Sequence, residues 1–145
     1  MTSAHGRKPS KPAKRKTKTG RLVLGAEAEI QAQFVSYIKE NEPRIAKSMF
    51  SVPNEGARSF ATLTYLKKLG LLKGVSDLII LYPTSLYPGL IMEFKTPRTS
   101  LTPGQEDFLR QQHALGYYTC VPRSVFEAVD HFYAYLNNEP RHQNY

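Results

Sequence analysis

An α/β domain, with a short mixed β-sheet flanked by helices, is the fold class this sequence predicts, and three observations predict it. Two apolar runs, Leu78-Ile79-Ile80-Leu81-Tyr82 and Leu90-Ile91-Met92-Glu93-Phe94, have strand length and are joined by a Pro- and Gly-containing connection. Segments with apolar residues at three- and four-residue steps, the mark of helices, lie on both sides of this pair. The elements run helix, strand, helix, strand, strand, helix, strand, helix, and a sheet covered on both faces is the simplest way to pack them.

Residues 1 to 23 are rich in Lys, Pro, Thr and Gly, lack periodicity and read as a disordered basic arm. The folded domain is expected over 24–138, and 139–145 is a short tail. From Ala26 to Asn41, Ile30, Phe34, Tyr37 and Ile38 share one helical face. Glu27 and Gln31 lie along that face, one turn apart, while Glu29 points to the other side. Pro43 closes the helix, Ala46 to Val52 is a short strand, and Pro53-Asn54-Glu55-Gly56 is a turn. A second helix over 57–69 carries the stripe Phe60, Leu63, Leu66 and Leu69 and stops at Gly70. After the two central strands, Thr102 is the N-cap and Pro103 the first residue of a helix that ends near Gly116. Tyr117 to Val121 is the last strand. The closing helix over 123–137 is expected to turn Val125, Phe126, Val129, Phe132, Tyr133 and Leu136 inward.

The net charge of +8 is unevenly placed. Arg7, Lys8, Lys11, Lys14, Arg15, Lys16, Lys18 and Arg21 all lie in the arm, which has no acid. With those eight set aside, twelve Lys/Arg face twelve Asp/Glu, so the domain itself is formally neutral. A neutral domain joined to a basic arm suits an enzyme acting on a polyanion. No apolar run approaches the roughly 20 residues needed to span a bilayer, so no membrane partner is expected. The opening residues have no hydrophobic segment and so do not read as a secretory signal. A single cysteine, Cys120, excludes an internal disulfide and a cysteine-based zinc cluster. These features predict a reducing, cytoplasmic setting. Cys120 reads as a small core residue, and His113 and His131 form no ligand pair. Tyr82, Tyr87, Tyr117 and Tyr118 read as core aromatics before base-stacking ones.

The chemistry concentrates in three residues. Asp77 stands at the mouth of the first central strand. Glu93 and Lys95, two apart near the end of the second, share a face, with Met92 and Phe94 on the opposite one. Two acids and a lysine among aliphatic residues are costly to desolvate unless something pairs with them. A divalent cation between the carboxylates would do so, and the lysine would hold a water or phosphate oxygen beside it. That is the chemistry of metal-assisted phosphodiester cleavage.

Asp77 followed by Glu93-Phe94-Lys95 resembles the PD-(D/E)XK nuclease signature, with Ser76 where a proline usually stands. The pattern is similar to that of the VRR-NUC family. Glu27 with Gln31, Asn54-Glu55-Gly56, Gly74-Val75-Ser76-Asp77, Glu93-Phe94-Lys95, Leu101-Thr102-Pro103-Gly104-Gln105 and Gly116-Tyr117 match its motifs in order over residues 25 to 137. The resemblance implies a restriction-endonuclease-like core with the acids gathered where the central strands splay. It implies Mg2+ or Mn2+ held by Asp77, Glu93, the Phe94 main-chain carbonyl and Glu27, with Lys95 acting on the attacking water. For Gln105 it implies a reach toward the metal site. The bare spacing instead reads Thr102-x-x-Gln105 as a capping box, and the two roles call for different rotamers. A helix-dipole role in the first turn is the alternative for Glu27. The resemblance further implies a homodimeric DNA endonuclease of phage or bacterial setting, selective for branched or flapped DNA in the manner of a Holliday-junction resolvase. The competing reading is a non-catalytic nucleic-acid-binding protein in which the basic arm makes the contacts. A nuclease of another specificity, for restriction or single strands, is a third.

Overall fold

The computed structural model describes residues 24–53 and 59–141. The basic arm residues, Arg7 to Arg21, lie outside the described residues, as do Asn54-Glu55-Gly56 and the last four residues. Helix α1 spans Ala26–Asn41, with Glu27 and Glu29 in its first turn, where they complement the helix dipole. Its inward face is Phe34 and Ile38, one turn apart. A one-turn helix α2, Pro43–Ala46, follows with Pro at its start. The expected strand over 46–52 is therefore shorter, and β1 covers only Met49–Ser51. Proline at the first helical position favours one more turn, and that turn buries Ile45.

Helix α3, Phe60–Lys68, is capped by Ser59, whose side chain accepts the Thr62 N–H. Gly70, at φ +97°, stops it in the left-handed region glycine tolerates. The expected stripe is present but buries nothing: Phe60 is 86% exposed and Leu69 66%.

The sheet has the order β1-β2-β3-β4. Strand β2, Leu78–Ile80, pairs antiparallel with β1 and with β3, Leu90–Met92. Strand β4, Tyr118–Cys120, pairs parallel with β3. Parallel neighbours need a crossover, and α4, Pro103–Ala114, supplies it. Alternation sends Leu78, Ile80, Leu90, Met92, Tyr118 and Cys120 to one face, where Phe34, Ile38, Phe132 and Tyr135 complete the core. That face is covered by α1 and by α5, Val125–Leu136. Helix α4 lies against β4, and its His113 Nδ1 sits 3.4 Å from Thr119 Oγ1, on the face opposite Tyr118 and Cys120. Helices thus flank the mixed sheet on both faces.

Helix α5 keeps Phe132, Val129, Tyr133 and Leu136 on or beside the core as expected, and corrects the expectation at Phe126. Ser124 caps it, and the buried residues are Ala128, Phe132 and Tyr135, whereas Phe126 is 75% exposed. The Tyr135 hydroxyl donates to the Tyr82 carbonyl, which ties this helix to the segment leaving β2. Phe132 packs edge-on to Phe34 at 6.1 Å between ring centroids and to Tyr133 at 5.2 Å. Phe132→Ala should therefore lose about 3–5 kcal/mol of stability, while Phe126→Ser should stay within about 0.5 kcal/mol. Urea unfolding of the two variants measures both.

Candidate active site

The two central strands part at one end, and the hydrogen bonds show how. The β2–β3 ladder stops at the pair Leu78↔Met92. On its other edge the chain after β3 keeps pairing, with Glu93 N–H donating to Cys120 O (3.1 Å) and Lys95 N–H to Pro122 O (3.2 Å). The Phe94 N–H, on the parted side, is taken by the Asp77 carboxylate at 2.8 Å. Asp77 keeps its own main chain in register, since its carbonyl accepts the Val52 N–H at 2.9 Å. Asp77 is thus held at the fork by backbone on both sides.

Glycine brings the third element in. Gly74 has φ +84°, and a Cβ there would stand 2.8 Å from the Gly104 carbonyl carbon and oxygen. The turn before Asp77 therefore presses directly on the first turn of α4, which carries Gln105. A side chain at position 74 would drive the two apart.

Glu93 is 1% exposed. Its Oε1 accepts from Gln105 Nε2 at 2.5 Å and lies 3.2 Å from Lys95 Nζ. Its Oε2 is buried without a hydrogen-bond partner among the described residues. Burial, then the negative charge of Asp77, pushes the Glu93 carboxyl from 4.5 up to about 7, against the pull of Lys95. Gln105 corrects an expectation. Its Oε1 accepts the Thr102 N–H at 2.9 Å while the Thr102 hydroxyl accepts the Gln105 N–H, completing the capping box. One rotamer serves both roles because the two ends of a primary amide differ, oxygen accepting and nitrogen donating.

Lys95 Nζ lies between two acids, 3.2 Å from Glu93 Oε1 and 3.8 Å from Glu27 Oε2. Glu27 reaches this point from the first turn of α1, and its Oε1 accepts from the Thr99 hydroxyl at 2.5 Å. Glu29 meets solvent and is bonded by Gln33. Glu27, Asp77, Thr96 and Thr99 line a cavity of about 520 Å3 together with Gln31 and Ser51, themselves hydrogen-bonded at 3.2 Å.

No family profile matches the sequence, and no curated protein matches it. A solved structure described as a VRR_NUC domain protein does match, with a TM-score of 0.68 at 20% identity, over 83% of this chain and 96% of that one. The chain has the VRR_NUC fold.

Within this VRR_NUC fold, Asp77, Glu93, Lys95, Gln105 and Glu27 come together from four separate segments, Glu93 and Lys95 sharing one. Among the described residues no three His, Cys, Asp or Glu side chains form a ready-made ion cage; Lys95 occupies the space between Glu27 and Glu93. The donor set still fits a hard divalent cation. Such an ion takes one or two carboxylates, keeps several waters and prefers oxygen, and the orphaned Glu93 Oε2 is a buried oxygen wanting a positive partner. Other titratable groups stand apart. Cys120 lies in the core, its thiol pushed well up by burial. His131 Nδ1 is 3.1 Å from the Tyr118 hydroxyl, and Tyr118 packs on Tyr87 at 5.2 Å, so these aromatics are core residues. No helix among the described residues is long and apolar enough to cross a membrane.

Two residues of the site carry no signal in sequence spacing. Thr99 is one. Arg123 is the other, with Nη1 donating to Thr96 O (2.5 Å) and Thr99 O (2.7 Å).

Proposed function

We propose that this chain is a metal-dependent DNA endonuclease that hydrolyses phosphodiester bonds. The observation that carries the reading is the buried Glu93 carboxylate, one oxygen unpartnered, near enough to feel the charge of Asp77 at the point where β2 and β3 part, and sharing its strand face with Lys95. Asp77, Glu93 and the Phe94 carbonyl would hold Mg2+ or Mn2+, with Glu27 completing the site. When bound, the ion supplies a Lewis acid for the phosphate oxygens. Gln105 turns Glu93 through its amide and frees one carboxylate oxygen for the site. Lys95, held between two acids, positions the attacking water and as a neighbouring cation eases loss of its proton to solvent, or offsets charge building on phosphorus. Asp77, tied to the Phe94 N–H, keeps the fork open for the substrate.

Selectivity for branched or flapped DNA, read through backbone and shape, and assembly as a homodimer accompany this reading. Both rest on the motif resemblance and the shared fold. Labelled branched and linear DNA incubated with Mg2+, Mn2+ or EDTA tests it. Branched DNA should be nicked with either ion and stay intact in EDTA, and light scattering should give twice the 16.4 kDa chain mass. Binding without nicking under both ions would instead identify a non-catalytic nucleic-acid-binding protein.

A further inference from the structure

The loop over 96–100, which leaves the site directly after Lys95, is folded on itself. Thr96 N–H donates to Thr99 Oγ1 at 2.9 Å, and Thr99 N–H to Thr96 O at 3.3 Å. From outside, Arg123 spans the same two residues through their carbonyls. Arg123 is itself anchored. The preceding residue, Pro122, accepts the Lys95 N–H, and the Arg123 N–H donates to Glu127 Oε2 at 2.7 Å.

This packing settles where the Thr99 hydroxyl proton goes. A threonine hydroxyl has one proton to give, and the Thr96 N–H already donates into its oxygen. Its other neighbours are Thr96 Oγ1 at 3.1 Å and Thr96 O at 3.4 Å. The 2.5 Å contact to Glu27 Oε1 is much the shortest, as a bond to an ionised acceptor should be. Glu27 is on the first turn of a helix, its side chain one-third exposed, and a glutamate there has several free rotors. Thr99 holds one of its oxygens and Lys95 approaches the other.

The geometry points to Thr99 as a positioning residue that sets the Glu27 carboxylate toward a divalent cation, with Arg123 pinning the loop that carries it. This rests on the reading of Glu27 as a metal-site acid. Partners of this kind, one bond behind a ligand, typically change metal affinity by about 10–100-fold when lost.

Mn2+ titration of the full chain, followed by the electron-spin resonance of free Mn2+, tests the inference without relying on cleavage. Thr99→Val should weaken Mn2+ binding by about 10-fold or more, and Thr99→Ser, which restores the hydroxyl, should recover it. Arg123→Lys, whose ammonium cannot span both carbonyls as the guanidinium fork does, should weaken binding in the same direction. Adding Thr99→Val to Glu27→Gln should cause no further loss, because the two act through one carboxylate. Equal affinity in Thr99→Val and wild type, with Glu27→Gln weakened, would overturn the role of Thr99 alone. Additive losses in the double variant would do the same, since they would mark general loosening. A wild-type chain that takes up no Mn2+ would remove the cation centre itself, and this inference with it.

Discussion

Asp77→Asn is expected to abolish metal-dependent nicking of branched DNA while leaving DNA binding intact. The substitution is chosen for what it keeps. An asparagine oxygen still accepts the Phe94 N–H, so the fork between β2 and β3 should persist. What disappears is a negative charge at the site. Removing a single preorganised electrostatic contact costs about 10²–10³-fold in rate elsewhere, and loss of a cation ligand should cost at least that. Single-turnover cleavage and a gel-shift on the same DNA measure the two halves. A further consequence is that Glu93, relieved of the Asp77 charge, should ionise at lower pH. Wild-type nicking by Asp77→Asn would refute its assignment as a cation ligand.

The second large effect is on stability, and it comes from Glu93. Its carboxyl is raised from 4.5 to about 7 in the folded chain by burial and by Asp77. Between those values the folded chain retains a proton that the unfolded chain has released. Stability therefore falls as pH rises from about 4.5 to about 7 and levels off above that. A shift of this size corresponds to a loss on the order of 3 kcal/mol. His113 and His131, lowered from 6.5 by burial, work in the opposite sense, adding stability as pH rises toward 6.5. The informative quantity is thus the difference between wild type and Glu93→Gln. Urea midpoints at pH 5.5 and pH 8, compared for the two chains, should show a fall in wild type that the glutamine variant lacks. Mn2+ at pH 8 should restore wild-type stability by binding the ionised carboxylate. An identical pH slope in both proteins would mean that Glu93 is not strained by its surroundings.

Much of the site was legible because it rests on short-range rules. The two-residue period of a strand places Glu93 and Lys95 on one face, and the structure keeps them there, 3.2 Å apart. Thr102, Pro103 and Gln105 read as a helix start from local capping chemistry, and the capping box forms. Periodicity faltered where two apolar stripes competed. In the closing helix Phe132 faces the core as the periodicity expects, with Val129, Tyr133 and Leu136 beside it; only packing against the sheet turns Tyr135 inward and leaves Phe126 outside. In α3 the stripe is real, yet no described element covers it.

The sequence by itself determined which residues form strands and helices around Asp77 and Glu93, and that an amine shares a face with an acid. These are properties of neighbours along the chain, where bond geometry dictates direction. Only the tertiary structure decided that Gln105 serves the helix cap and Glu93 together, that Lys95 sits between Glu27 and Glu93, and that Thr99 and Arg123 belong to the site. Those contacts join residues far apart in sequence. Their distances depend on how the sheet parts and how α1, α4 and α5 close over it, which no local periodicity encodes.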